Sequence, residues 1–124
     1  MKIKRLFLSF RDAGRGVKAV FLSEQNFRLQ VLVSALVGWA SYFFPLSKWE
    51  RIVIILLIFL VLVLELLNSA VERLVDIFKP RLFQQVEVIK DIMAAVVLSA
   101  SLSAIIIGVM VFWPYAVAFF FRVW

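Results

Sequence analysis

An uncharged apolar run, Ile52–Leu64, leads directly into polar sequence. Four polar side chains follow it at helical spacing: Glu65, Asn68, Glu72 and Asp76. At 100° per residue they share one helix face, within a wedge about 80° wide. The apolar run covers about 20 Å of a hydrocarbon core about 30 Å thick, which predicts Glu65 inside the membrane and Glu72 at the far interface. A carboxylate at that depth costs roughly 2.5–3.5 kcal/mol, and this cost favours a functional role.

The composition limits both the fold and the chemistry. With 124 residues and 65% hydrophobic content, the chain is expected to form one small all-α membrane domain. The absence of Cys excludes disulfides and thiolate metal sites, and the absence of His excludes Ser-His-Asp triads and His-ligated zinc. Any acid–base or metal chemistry must therefore come from carboxylates.

The hydrophobic pattern divides the chain into a surface helix, three spans and a tail. The predicted segments are an amphipathic surface helix (1–22), spans at 27–45, 49–78 and 89–113, and an aromatic C-terminal tail (114–124). Ser23 is the expected N-cap of the first span's helix, and Pro114 is expected to close the third span. The surface helix could equally pack on its own protein, and the two interpretations are compatible.

Basic residues indicate the orientation in the membrane. Eleven of the fourteen Lys and Arg residues lie in the N-terminal segment or around the 77–90 connection. The positive-inside rule then places the N-terminus and that connection in the cytoplasm, with the C-terminus outside. Nucleic-acid binding is disfavoured because the charge flanks the spans and forms no folded basic patch of its own.

Lys90 and Asp91 begin the third span at a depth similar to that of Glu72. Carboxylates, an amide and a lysine at a cytoplasmic interface suit phosphate chemistry, since magnesium binds through carboxylates and substrate phosphates. The lysine can neutralise a transferring phosphoryl group and a carboxylate can take a proton from a hydroxyl. There is no Walker or GxGxxG loop. Structural roles stay open: Glu65 as a packed buried acid, Asn68 joining helices, and Glu72 as an ordinary interfacial charge.

The segment Glu65–Asp76 resembles the signature E-[hydrophobic]2-N-[ST]-A-[IV]-E-x-x-[hydrophobic]-D of a known family. That family is the small prokaryotic integral-membrane diacylglycerol kinases, which includes the undecaprenol kinases. Further matching positions are Glu24, Phe27-Arg28, Gly16, and Lys90-Asp91 followed by Ala94-Ala95. The resemblance covers roughly residues 5–113.

This resemblance implies a homotrimer in the bacterial inner membrane, with composite active sites formed by neighbouring subunits. It implies transfer of the γ-phosphate of MgATP to the hydroxyl of undecaprenol or diacylglycerol. The matched positions imply these roles: Glu24 and Glu72 as Mg²⁺ ligands, Glu65 as general base, Asn68 positioning phosphate or substrate, Lys90 on the ATP phosphates, Asp76 and Asp91 supporting the site, and Arg5 near the phosphates.

Some positions depart from the family pattern. The loop Arg81–Gln85 lacks the acidic-Tyr-His stretch that many members use to hold the nucleotide, Gln30 replaces a frequent acid, and Met93 replaces a small residue. The nucleotide and the lipid therefore stay open, although Asn26-Phe27-Arg28 looks closer to the undecaprenol branch. Two alternatives are a small proton-coupled multidrug transporter, which should have four spans and its acid in the first, and a non-catalytic membrane adaptor.

Overall fold

A computed structural model describes residues 2–123, with side chains to residue 122. Four helices form the fold: α1 (Lys2–Ser23), α2 (Gln25–Phe43), α3 (Lys48–Asp76) and α4 (Phe83–Val123). No strand occurs in the described range, which confirms the all-α prediction. Met1 and Trp124, which end the predicted segments 1–22 and 114–124, lie outside the described residues.

Helices α3 and α4 are long and apolar enough to cross a membrane. Very little of their apolar surface is buried inside the chain, in contrast to the core helix of a soluble protein. Helix α2 overlaps the first predicted span, and at 19 residues it is shorter and less apolar than α3 and α4. That α2 also crosses the membrane stays a prediction.

Most apolar side chains of helix α1 are exposed. Ile3, Phe7 and Phe10 are all highly exposed, while Val20, near the end of the helix, is buried. Only the last part of α1 is therefore anchored, where it meets α2 and α3. Its position on a membrane surface stays a prediction, supported by this exposed apolar face.

The junction between α1 and α2 differs from the sequence prediction. Ser23 is the last residue of α1, and its hydroxyl donates back to the carbonyl of Ala19 at 2.8 Å. Glu24 stands at the N-cap position of α2 instead, without a side-chain cap bond. The prediction that Ser23 caps this helix is wrong, because α1 extends through Ser23 and engages its hydroxyl.

Helix α3 is the central element and packs against each of the other three helices. It begins with a capping box, in which Ser47 and Glu50 exchange hydrogen bonds between side chain and backbone. Its buried residues include Ile54, Glu65 and Ser69. Two polar residues thus lie among the few buried residues of α3.

Helix α4 is longer at both ends than the predicted third span. It begins at Phe83, because Val86 is buried and fixes the first turn to the rest of the fold. It does not close at Pro114 but continues to Val123. Proline removes one backbone donor, and membrane helices tolerate this loss when neighbouring contacts hold the chain. Here Tyr115 and Phe119 supply those contacts, to Glu50 and to Phe43 respectively.

Candidate active site

Glu65 is the most buried carboxylate among the described residues, with 3% of its surface exposed. Its Oε2 accepts a hydrogen bond from Nε2 of Gln30 on α2, at 3.2 Å. Oε1 of Gln30 and Oδ1 of Asn68 are also buried, and neither has a hydrogen-bond partner in the described part of the chain. The site therefore combines a buried acid with two unpaired buried acceptors.

Glu24 reaches the same face of α3 from the α1–α2 junction. The hydroxyl of Ser69, which is fully buried, donates to Oε1 of Glu24 at 3.3 Å. One turn further on, the guanidinium of Arg73 donates to Oγ of Ser23 at 2.8 Å, which ties the junction to α3. The carboxylates of Glu24 and Glu72 lie close enough to Glu65 to act on it electrostatically. Glu24 is thus held on the face of α3 that carries Glu65 and Ser69.

A cluster of ion pairs lies where α3 ends and α4 begins. Nζ of Lys90 lies 2.7 Å from Oδ1 of Asp76, and Nζ of Lys79 lies 3.8 Å from the same atom. Lys79 also pairs with Glu87 at 3.0 Å. Lys90 senses the charge of Glu72 as well. The predicted phosphate-binding lysine therefore lies beside the carboxylates of Asp76 and Glu72.

Two predicted site residues are not drawn into this cluster. Arg5 and Asp91 are exposed, and their side chains form no hydrogen bond or ion pair within residues 2–122. Over the same range no group of three or more acidic side chains is arranged to hold a metal ion. The phosphate role of Arg5, the supporting role of Asp91 and the metal-binding role of Glu24 and Glu72 stay predictions.

Ser69 and Gln30 are contact residues to which the sequence assigned no role. Ser69 follows Glu65 by four residues and belongs to the signature. Its bond to Glu24 joins residues 45 positions apart, and no local sequence pattern predicts such a contact. Gln30 departs from the family pattern. The sequence feature that could have indicated its role is an amide beside the apolar residues of α2 that follow it.

The fold and site define a small helical protein with a buried carboxylate site on an apolar helix. Residues 11–112 match the family described as prokaryotic diacylglycerol kinase. The chain belongs to this family and, with its two long exposed apolar helices, is an integral membrane protein.

Curated relatives agree with this assignment. An undecaprenol kinase of Bacillus subtilis is 33% identical over 113 residues, which are 91% of this chain and 92% of the relative. A diacylglycerol kinase of Synechocystis is 35% identical over 104 residues, 83% of this chain. The chain spans only 59% of the length of that Synechocystis protein. The membership favours the kinase interpretation over the transporter and adaptor alternatives.

Proposed function

We propose that this protein transfers the γ-phosphate of ATP to the hydroxyl of a lipid alcohol at the cytoplasmic membrane interface. The observation that best supports this proposal is the buried Glu65. It shares one face of α3 with Glu72 and Asp76, and Lys90 of α4 pairs with Asp76. A substrate that stays in the bilayer can reach Glu65, while a water-soluble nucleotide can reach Lys90. The family membership and the kinase names of the relatives support the same reaction.

In the proposed reaction, Glu65 takes the proton of the lipid hydroxyl as its oxygen attacks the γ-phosphorus. The bond from phosphorus to the leaving oxygen breaks, and ADP departs with that electron pair. The ammonium of Lys90 exchanges its Asp76 contact for the phosphate oxygens. The amide of Asn68, with its oxygen unpaired, positions substrate beside Glu65.

Glu24 and Glu72 are the proposed Mg²⁺ ligands. Ser69 engages one oxygen of Glu24, and the carboxylate of Glu72 accepts no hydrogen bond from the described residues. Oxygen donors of this kind fit a magnesium ion that completes its shell with substrate phosphates and water. When bound, the ion would neutralise charge on the phosphates. Arg5 and Asp91 are proposed to act at the edge of the same site.

Undecaprenol is the proposed acceptor, since a relative that aligns over 91% of this chain is an undecaprenol kinase. The test compares initial rates of phosphate transfer from labelled ATP to undecaprenol and to diacylglycerol, in mixed micelles with Mg²⁺. The expected result is a labelled lipid that depends on Mg²⁺, with undecaprenol the faster substrate. A folded protein that labels neither lipid would contradict the proposal.

The proposed assembly is a homotrimer in the bacterial inner membrane. The trimer rests on the family resemblance, and the apolar faces of α3 and α4 that the single chain leaves uncovered are available to lipid or to neighbouring subunits. Light scattering with correction for bound detergent should give three times the 14.3 kDa mass of one chain. A monomeric mass in a catalytically active preparation would refute the trimer.

A further inference from the structure

An aromatic-lined cavity lies at the end of the molecule that is remote from the proposed active site. It has a volume of about 540 Å³, and it is lined by the end of α2, the connection to α3 and the last turns of α4. Phe43, Phe44, Tyr115 and Phe119 form its aromatic walls, and Arg122 adds a positive charge. The proposed reaction uses none of these five residues.

Contacts between the rings fix the walls of this cavity. The ring of Phe119 lies edge-on to those of Phe43 and Phe44, with centroids 5.7 and 6.3 Å away. The ring of Tyr115 lies 6.4 Å from that of Phe44, and its hydroxyl donates to Oε1 of Glu50. Because each aromatic wall has a partner, the cavity keeps its shape without a ligand. A preformed site of this kind loses little conformational freedom on binding.

The charge of Arg122 is not neutralised within the described part of the chain. Arg122 is exposed, and its guanidinium donates no hydrogen bond and forms no ion pair within residues 2–122. A basic residue in the last turn of a helix also complements the helix dipole, but that effect needs no cavity. It leaves the N–H donors of the guanidinium available to a ligand.

The residues around the cavity have a net positive charge. In the ranges 43–51 and 112–122, the basic residues Lys48, Arg51 and Arg122 stand against a single acidic residue, Glu50. Oε1 of Glu50 accepts hydrogen bonds from the Tyr115 hydroxyl and from the backbone N–H of Ser47. The only carboxylate of these two ranges is therefore engaged within the protein, and the electrostatic field at this end favours an anion.

Arg122 lies at the depth of a lipid headgroup. Along α4 it follows Lys90 by about 48 Å at the rise of an α-helix, which is close to the thickness of about 40–45 Å of a bilayer with its headgroups. Since Lys90 is predicted at one interface, the guanidinium of Arg122 reaches the headgroups of the other. Tyr115, about 10 Å earlier on the helix, lies near the edge of the hydrocarbon. The cavity thus spans the boundary between acyl chains and headgroups.

We propose that this cavity is a binding site for an anionic membrane phospholipid. The N–H groups of Arg122 donate to the phosphate oxygens, because the guanidinium fork matches phosphate geometry. The aromatic rings pack on the glycerol and on the first carbons of the acyl chains. Aromatic walls alone would also suit a quaternary ammonium ligand, but Arg122 repels a cation. The site binds without ATP and without the acceptor lipid of the proposed reaction.

The first test removes the positive charge. Native mass spectrometry of the whole protein in detergent should show one tightly bound phosphatidylglycerol per chain, held severalfold more tightly than phosphatidylcholine with the same acyl chains. Arg122→Gln should weaken this binding by about tenfold, the scale of a lost charge-assisted contact. The control is Arg81→Gln, which removes the same charge from an exposed residue in the connection between α3 and α4. It should leave the affinity for phosphatidylglycerol unchanged.

The second test fills the cavity without changing any charge. Ala118 and Ala116 are both exposed on α4, and Ala118 lines the cavity whereas Ala116 does not. Ala118→Leu should therefore weaken the binding of phosphatidylglycerol severalfold. Ala116→Leu, the same substitution half a turn away, should bind like the wild type.

The outcomes are independent of the proposed reaction, because the binding measurement contains neither ATP nor an acceptor lipid. If Arg122→Gln and Ala118→Leu bind phosphatidylglycerol like their controls, the proposal is overturned. If soluble glycerol 3-phosphate in excess displaces the lipid from the wild type, the ligand is a free phosphate compound and the lipid assignment is wrong. If Ala118→Leu dissociates the oligomer with the lipid affinity unchanged, a second copy of the chain occupies the cavity, which also contradicts the proposal.

Discussion

Glu72 is half-buried two turns beyond Glu65 on α3, and its carboxylate accepts no hydrogen bond from the described residues. Glu72→Gln keeps the shape of the side chain and removes its charge. We expect the rate of lipid phosphorylation to fall by roughly 100-fold or more, since even outer partners of a bound metal contribute about 10–100-fold. Rates should be measured with labelled ATP, and folding should be checked by circular dichroism.

The control for this change is Glu87→Gln. Glu87 is on α4, where it pairs with Lys79, and it does not belong to the face of α3 that carries Glu65 and Glu72. It should keep near wild-type activity. Equal loss in both variants would point to a general effect of charge at the interface. Full activity of Glu72→Gln would support the adaptor alternative and remove Glu72 from the proposed metal site.

Lys90 and Lys79 offer a second matched pair, because both ammonium groups approach the same oxygen of Asp76, at 2.7 and 3.8 Å. Lys90 also senses the charge of Glu72. Lys90→Ala should raise KM for ATP by about tenfold, the scale of a lost charge-assisted hydrogen bond, and leave KM for the lipid unchanged. Lys79→Ala should change neither constant by more than about twofold. If Lys90→Ala changes KM for ATP and KM for the lipid equally, the phosphate role of Lys90 is contradicted.

At this scale, the sequence predicted the residues that share one helix and missed those that pair across helices. Glu65, Asn68, Glu72 and Asp76 follow from helical spacing, because four residues on one element need no knowledge of packing. The bonds from Gln30 to Glu65 and from Ser69 to Glu24 join residues 35 and 45 positions apart. Such contacts depend on how helices pack, and no local pattern encodes them.

A contact to the first turn of α3 holds the part of α4 that follows Pro114. The hydroxyl of Tyr115 donates to Oε1 of Glu50 at 2.5 Å, and Glu50 is also part of the capping box that begins α3. Tyr115→Phe should lower the thermal unfolding midpoint by a few degrees in detergent, with kcat unchanged because the site is at the other end of α3. Tyr42→Phe is the control, since Tyr42 is 84% exposed. Equal midpoints in the two variants would show that the contact does not stabilise α4.

The same contact explains why the end of α4 could not be predicted. Proline and an aromatic run usually indicate that a helix has closed, and the sequence interpretation followed that rule. The helix continues because Tyr115 and Phe119 find partners on α3 and at the end of α2. The start of α3 was predicted to within one residue, and the structure shows that Ser47 and Glu50 form a local capping box there.

For the whole molecule, the chain contains no cysteine, so single-cysteine variants can report its topology against a clean background. The probe positions are Ser9 on α1, Lys48 at the start of α3, Gln84 at the start of α4 and Ser103 within α4. If α2, α3 and α4 all cross, a membrane-impermeant thiol reagent should label positions 9 and 84 only from inside and position 48 only from outside. Position 103 should not react from either side. Each variant should keep its lipid kinase activity, so that labelling reports the native arrangement.

The connection between α2 and α3 decides this experiment, because α2 is shorter and less apolar than the two helices that follow it. Labelling of positions 9 and 48 from the same side would show that α2 does not cross, and the chain would then have two spans. Labelling of position 48 from inside, with 9 and 84 from outside, would reverse the orientation that the basic residues predict. That reversal would place Lys90 and Glu72 on the external side, where cytoplasmic ATP could not reach them. The proposed kinase activity and the predicted topology therefore depend on each other.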